Sequence, residues 1–211
     1  MCWNSEVSLN TFIFSMFVLL LIMYNNAYTK YKIPELNHFW AYAFFISFIL
    51  MQLIEYFIWR NIKNPFYNSF FTKSAIMLLL IQPITTIMLI NNEILKKYML
   101  ALYLILAIPF AIYRFSVKSV KSTVTNKGHL YWGLLLYNNE IYFLIWLFFF
   151  LFSFFYNQTY FAFLFGLIML IISTYNYYND GSIGSMWCWI VNSIMIYYAA
   201  YLLIYLPFTL K

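Results

Sequence analysis

Seven stretches of this chain are so evenly apolar, and so regularly the length of a bilayer-crossing helix, that few folds remain open to it. Crossing the hydrocarbon takes about 20 apolar residues in a helix, with ~17–25 tolerated. The stretches run over 9–27, 38–59, 74–91, 97–113, 132–155, 160–175 and 186–206. Lipid offers no hydrogen bonds, so a crossing segment has to satisfy its own backbone, which leaves helices and closed barrels. Segments this long and this continuous lack the alternation of barrel strands. The expectation is all-α: a polytopic transmembrane helical bundle of seven spans, in a single transmembrane domain over 1–211. The sixth stretch is short and Y156-N-Q-T-Y160 reads as a tight turn, so six spans with a long re-entrant fifth element is the alternative.

Composition agrees. Hydrophobic residues make up 65% and charged residues 9%, against roughly half and a quarter in soluble domains, and mean hydropathy is +0.77. The excess of Phe, Tyr, Ile and Asn over Ala and Gly suggests an AT-rich genome, such as that of a large DNA virus or certain protists. A net charge of +6 is not a nucleic-acid footprint, because the Lys and Arg residues lie in connections and flanks, where cations meet lipid headgroups and set orientation. The first span starts near Leu9 without a basic leader or an A-x-A pattern and reads as a retained span. No Gly/Ser linker, repeat or duplicated half divides the chain. The polar segment R114-F-S-V-K-S-V-K-S-T-V-T-N-K-G-H129 has basic residues every three or four positions, which fits either a short helix lying on anionic lipid or a solvated loop.

Arg60, Lys63, Lys73, Arg114, Lys118, Lys121 and Lys127 fall on the side of the N-terminus in a seven-span arrangement, against Lys30, Lys32, Lys96, Lys97 and Lys211 on the other. The balance predicts a cytoplasmic N-terminus. The sequon at Asn157 then faces the lumen, too close to the membrane for glycosylation.

An ionisable group inside a span costs ~2.5–3.5 kcal/mol on insertion scales and is by default a functional candidate. Glu55 lies about one turn inside span 2, with Gln52 one turn deeper. Span 3 carries Gln82 before Pro83, then Thr85 and Thr86. Span 5 carries Asn138, Asn139 and Glu140, with His129 and Trp132 at its mouth. Span 7 opens on Ser185, Trp187, Cys188 and Trp189 and continues to Asn192. Threaded on seven spans, these residues converge in the half of the membrane next to the N-terminus, which predicts a polar pocket built from Gln52, Glu55, Gln82, Thr86, Asn139, Glu140, Cys188 and Asn192. Plainer readings stand beside this one. Glu55 and Glu140 can reach headgroups from a helix end, and amides and hydroxyls within spans serve as interhelical hydrogen bonds worth ~0.6 kcal/mol on average. Trp3, Trp59, Trp132, Trp187 and Trp189 suit an interfacial belt, His38 an interfacial position, and His129 a loop.

The opening M-C-W-N, Q-L-I-E-Y in span 2, Q-P in span 3 and G184-S-M-W-C-W189 at span 7 together resemble a family of small multi-span membrane proteins of unknown function that begin Met-Cys-Trp-Ser and occur in bacteria and large DNA viruses. Asn4 stands where serine is usual, and the charged segment after span 4 has no counterpart. The resemblance implies architecture but no chemistry, and it marks Cys2, Trp3, Gln52, Glu55, Gln82, Pro83, Trp187 and Cys188 as the positions to test.

A retinal Schiff base is excluded, since it needs a lysine within a span. Cys2, His129, Cys188 and Glu55 are of types that zinc accepts, but no ligand motif joins them, and no cofactor is expected. Cys2 and Cys188, both beside tryptophans at one membrane face, are expected to lie close together as thiols, a disulfide or plain packing. The functional expectation is binding or transport of a small polar solute, a cation or a proton, with the lipid bilayer as the other partner. The alternatives are a structural, membrane-remodelling or partner-docking role, and an intramembrane metal-dependent or thiol enzyme.

Overall fold

The computed structural model describes residues 4–116, 120–132 and 140–209, with the backbone alone at Glu140. The chain is an all-α bundle of antiparallel passes. Helix α1 (Ser5–Tyr28) is followed by α2 (Phe39–Arg60), α3 (Pro65–Ile87) and α4 (Glu93–Ser116). A two-residue hairpin, β1 (Thr123–Val124) and β2 (Leu130–Tyr131), precedes α5 (Glu140–Tyr156) and α6 (Tyr160–Tyr177). The last pass is broken into α7 (Ile183–Val191), α8 (Ile194–Ala200), a π-turn at Tyr201–Tyr205 and α9 (Leu206–Thr209).

Among the described residues, six helical stretches are long and apolar enough to cross a membrane: Ser5–Tyr28, Phe39–Arg60, Pro65–Ile87, Glu93–Ser116, Tyr160–Asp180 and Ile183–Thr209. A shorter apolar helix, Ile141–Tyr156, completes the bundle. The protein is therefore built as an integral membrane protein. The face carrying the start of α1 is called the N face below, and the opposite one the far face.

Asparagine starts three of the helices. Asn4 Oδ1 accepts from Val7 N at 2.9 Å, Asn64 Oδ1 from Phe66 N and Tyr67 N, and Asn92 Oδ1 from Ile94 N and Leu95 N. Each satisfies amides that the first turn leaves without partners. At α3 the cap is followed by Pro65, whose fixed φ and missing N–H suit the first helical position. That pair corrects the third span: it begins at Pro65 rather than near residue 74. The fifth is also corrected. Residues 130–132 belong to the hairpin side of the connection, and the described helix starts at Glu140 instead of 132.

Helix α3 lies at the centre of the packing, between α2, α4 and α5. Its Pro83 has no N–H for the Leu79 carbonyl one turn back. That carbonyl is taken by Trp146 Nε1 on α5 at 2.7 Å, and the neighbouring Leu80 carbonyl accepts from the Tyr103 hydroxyl on α4 at 2.7 Å. The proline thus frees one backbone acceptor of α3, and bonds to that carbonyl and to the next dock two helices on α3. The main core runs through Leu19, Ile49, Met51, Ile76, Phe150, Trp187 and Met195. A smaller cluster at the far end gathers Ile87, Ile90, Met99, Tyr103 and Phe149.

Replacing Trp146 by Phe keeps the ring and strands the Leu79 carbonyl. We expect a loss of about 1–3 kcal/mol of unfolding free energy. In a Pro83→Ala background, where the substituted residue supplies the missing N–H, the same change should cost clearly less. A double-mutant cycle on the purified protein measures both; equal costs in the two backgrounds would show that Trp146 contributes packing only.

Candidate functional site

With the helix boundaries in place, the polar residues fall into two groups at opposite depths. At 1.5 Å per residue, Glu55 lies about 8 Å and Gln52 about 12 Å inside α2 from its N-face end, whereas Gln82 lies about 25 Å inside α3 from the same face. Gln82, Thr85 and Thr86 therefore belong to the far half and do not join Glu55. The sequence reading misplaces them because it begins span 3 nine residues late. There Thr85 Oγ1 donates to the Gln82 carbonyl. Thr86 Oγ1 is 3.0 Å from the Pro83 carbonyl and 3.4 Å from that of Phe149. Both hydroxyls cap backbone acceptors around the proline.

The near group is held by α1, α2 and α7. Trp189 Nε1 on α7 donates to Thr11 Oγ1 on α1 at 3.2 Å, which fixes α7 in depth, since Thr11 is about 9 Å inside α1. Cys188 stands within electrostatic reach of Glu55. Glu55 is fully enclosed at 0% exposure, as are Ser8 and Gln52. One turn deeper, Ser15 on α1, Gln52 on α2 and Asn192 on α7 come to a common level, about 12–15 Å from the N face on the same rise. Ser15 Oγ, both amide atoms of Gln52 and Asn192 Oδ1 are buried there with no hydrogen-bond partner. The amide of Asn192 is anchored by Nδ2 donating to its own helix at Cys188 O, 2.9 Å away. Of the pocket expected from the sequence, Gln52, Glu55, Cys188 and Asn192 are all buried in the half of the bundle next to the N face, with Cys188 in electrostatic reach of Glu55. Asn139, the Glu140 side chain and Cys2 lie outside the described residues, and with Cys2 the expected approach of the two cysteines.

Sequence reasoning misses Ser8 and Ser15 because serines in a first span read as neutral filler; only their seven-residue spacing, two turns on one helix face, marks them. A second missed group roofs the site. Asn68 and Thr72, one turn apart on α3, are buried with Ser122. Ser122 N donates to Asn68 Oδ1 at 2.8 Å and Asn68 Nδ2 to the Ser122 carbonyl at 3.0 Å. The Thr72 and Ser122 hydroxyls are 2.8 Å apart. These bonds anchor the segment to the bundle at Ser122, while Lys121, Thr123, Val124 and Asn126 to Gly128 stay exposed; among the described residues 120–129 form no helix. Arg114 to Ser116 complete α4, and 123–131 form the hairpin, paired antiparallel with Thr123 opposite Tyr131 and Val124 opposite Leu130.

Beyond the hairpin, Leu130 and Trp132 sink into the core. Two glycines make room for this. A Cβ on Gly184 would meet the Trp132 ring at 3.2 Å, and one on Gly181 would meet Tyr131 at 3.0 Å, at a φ of +72 where side chains are already disfavoured. The G-S-M-W-C-W opening of the last span thus starts with a glycine shaped to the tryptophan above it.

His129 belongs to this roof. Its ring meets Tyr177 edge-on at 5.2 Å. Burial holds its pKa below the ordinary histidine value, with the Asp180 carboxylate opposing and Lys127 adding to the depression. Among the described residues no three His, Cys, Asp or Glu side chains gather at metal-binding range, His129, Cys188 and Glu55 included. Comparisons with protein-family models, curated proteins and solved structures return no match for this chain.

Two outcomes test the roof. Asn68→Ala leaves buried backbone groups of Ser122 unmatched and should cost about 1–3 kcal/mol, while raising the rate at which a membrane-permeant maleimide reaches Cys188. Unchanged labelling would mean the hairpin does not close this end. For His129, the ring resonances should titrate below 6.5. Because the folded pKa is depressed, the histidine's contribution to stability is present above the unfolded value and lost as pH falls through the folded one; a midpoint above the ordinary histidine value would contradict the burial.

Proposed function

We propose that the near-group side chains form a binding site for a small polar solute, a cation or a proton, in a multi-pass membrane protein whose N-terminus faces the cytoplasm. One observation carries the reading: the Gln52 amide is wholly enclosed with neither its donor nor its acceptor atom paired, at the level of Ser15 Oγ and Asn192 Oδ1 and one turn from Glu55. A buried group left unpaired costs about 1–3 kcal/mol. A chain that needed only to pack could place leucine at 52. Side chains acting purely as interhelical glue would pair with one another, and the Gln52 amide, Ser15 Oγ and Asn192 Oδ1 do not. Their chemistry suits an occupant that brings its own donors and acceptors: two amide carbonyl oxygens and a hydroxyl for a cation or polar solute, and a carboxyl one turn away for a proton. The orientation rests on the excess of Lys and Arg in the N-face connections.

Gln52→Leu separates binding from glue by the sign of its effect on stability. A binding amide kept at a cost predicts a variant more stable by about 1–3 kcal/mol that has lost binding or flux. Glue predicts a less stable one. Proteoliposomes carrying a pH-sensitive dye, with wild type, Gln52→Leu and Glu55→Gln compared under alkali-cation and proton gradients, supply the functional arm. If all three behave as protein-free vesicles and Gln52→Leu is destabilised, the site is structural.

A further inference from the structure

A second site lies on the other side of the last pass. Between α2, α5, α6 and the last pass, a cleft of about 510 Å³ extends inward from the far-face connections, within the ~300–1,000 Å³ of ordinary ligand sites. Its inner walls are aromatic, Phe48, Phe165 and Trp187 among them. Its mouth, at the far-face connections, is polar and carries Glu35, His38 and Asn157. The Trp187 indole is already bonded, Nε1 to the Gly166 carbonyl at 3.1 Å, so the walls offer surface and no further donor there.

We infer that this cleft holds one long-chain amphiphile, its hydrocarbon chain against the aromatic walls and a hydroxyl- or amine-bearing head group at the Glu35 and His38 mouth. Depth and polarity decide the class. A cleft that is apolar within a membrane bundle and polar only at its rim matches a molecule divided the same way, and lipid is the medium from which it fills. The mouth decides the head group. Among the described residues lining it there is a carboxylate, an imidazole and amides but neither Lys nor Arg. Carboxylate and amide oxygens accept from hydroxyl or ammonium groups, while a phosphate or carboxylate head would meet Glu35 without a cation to offset it. The polar site near Glu55 plays no part in this inference.

The probe is a long-chain alcohol carrying a diazirine near its chain end, incorporated at low mole fraction into phosphatidylcholine vesicles that contain the full-length protein. After photolysis, peptide mass spectrometry should find label concentrated on residues 161–166 and 187–191. The labelling should saturate and be competed by the unlabelled alcohol and by the matched amine. A matched carboxylate or alkyl phosphate should compete at least fivefold more weakly. Ala162→Trp, which fills the cleft from α6, should reduce the label at least tenfold. Should that variant fold poorly, the competition series on the wild-type protein decides alone. Label spread evenly over lipid-facing positions such as Ile105 and Ile112, or label that the unlabelled alcohol does not displace, would overturn the site. Equal competition by all four head groups would overturn the assignment of the mouth.

Discussion

The arrangement depends on a backbone constraint in α3. Inside a bilayer a carbonyl without a partner costs several kcal/mol, since no water is available, and Pro83 creates one by construction. Trp146 on α5 donates to it, and Tyr103 on α4 donates to the adjacent Leu80 carbonyl; together the two bonds fix where α4 and α5 sit along α3. Asn157 repeats the device one level further, Nδ2 donating to the Leu89 carbonyl at 2.8 Å just past the end of α3. Contacts between apolar side chains and lipid tails differ little in energy, so helix register in a membrane is set by directional bonds and shape. Here the directional bonds are mostly side chain to backbone, at points where a helix ends or is interrupted.

The same logic divides the molecule by depth. At the N face the polar segment is drawn inward by Asn68, Thr72 and Ser122, and its Trp132 fills the space left at Gly184. That sets Trp132 against the start of α7, the helix whose Cys188 is in electrostatic reach of Glu55. At the far face no connection is as long as the polar segment, and the connections are held differently. Asn26 clasps the first of them, Oδ1 accepting from Ile33 N at 2.7 Å and Nδ2 donating to the Tyr42 hydroxyl at 2.8 Å, and the aromatic cleft opens alongside.

Much of this is legible from the chain. Apolar length predicts the helices, and the burial of Glu55 beside the last pass follows from carboxylate chemistry. The misplaced residues of the third span share one cause. Asn68, Thr72 and Lys73 look too polar to belong to a span, so a hydropathy reading starts the third helix after them, although Asn64-Pro65 is a complete start signal. That shift of nine residues carries Gln82 and Thr86 into the wrong half. Polarity alone cannot reveal that Asn68 and Thr72 are satisfied by Ser122, some fifty residues away in sequence. Nor can a pass along the sequence foresee the tryptophan that needs Gly184, because such fits exist only once the helices meet. Asn4 is the converse case: where the resemblance leads one to expect serine, it caps α1 through its side-chain oxygen, a task either residue performs.

The short helix α7 carries the closest relation between the two ends. Trp187 and Val191 share a face four residues apart and line the cleft, with Ile194 and Tyr198 continuing the row. Cys188 and Asn192 share the adjoining face, turned about 100°, and belong with Glu55 and Gln52. The wall between the polar group and the aromatic cleft is thus a single helix thick. It is also where the last pass is interrupted: Asn192 and Ser193 separate α7 from α8, with tightened bonds from Met195 N to Asn192 O and from Ile196 N to Ser193 O. Protein interiors are dense enough to transmit displacement from one packed side chain to the next. Trp187 and Cys188 are carried by one helix turn, and the tightened bonds beyond Val191 divide that turn from the rest of the pass.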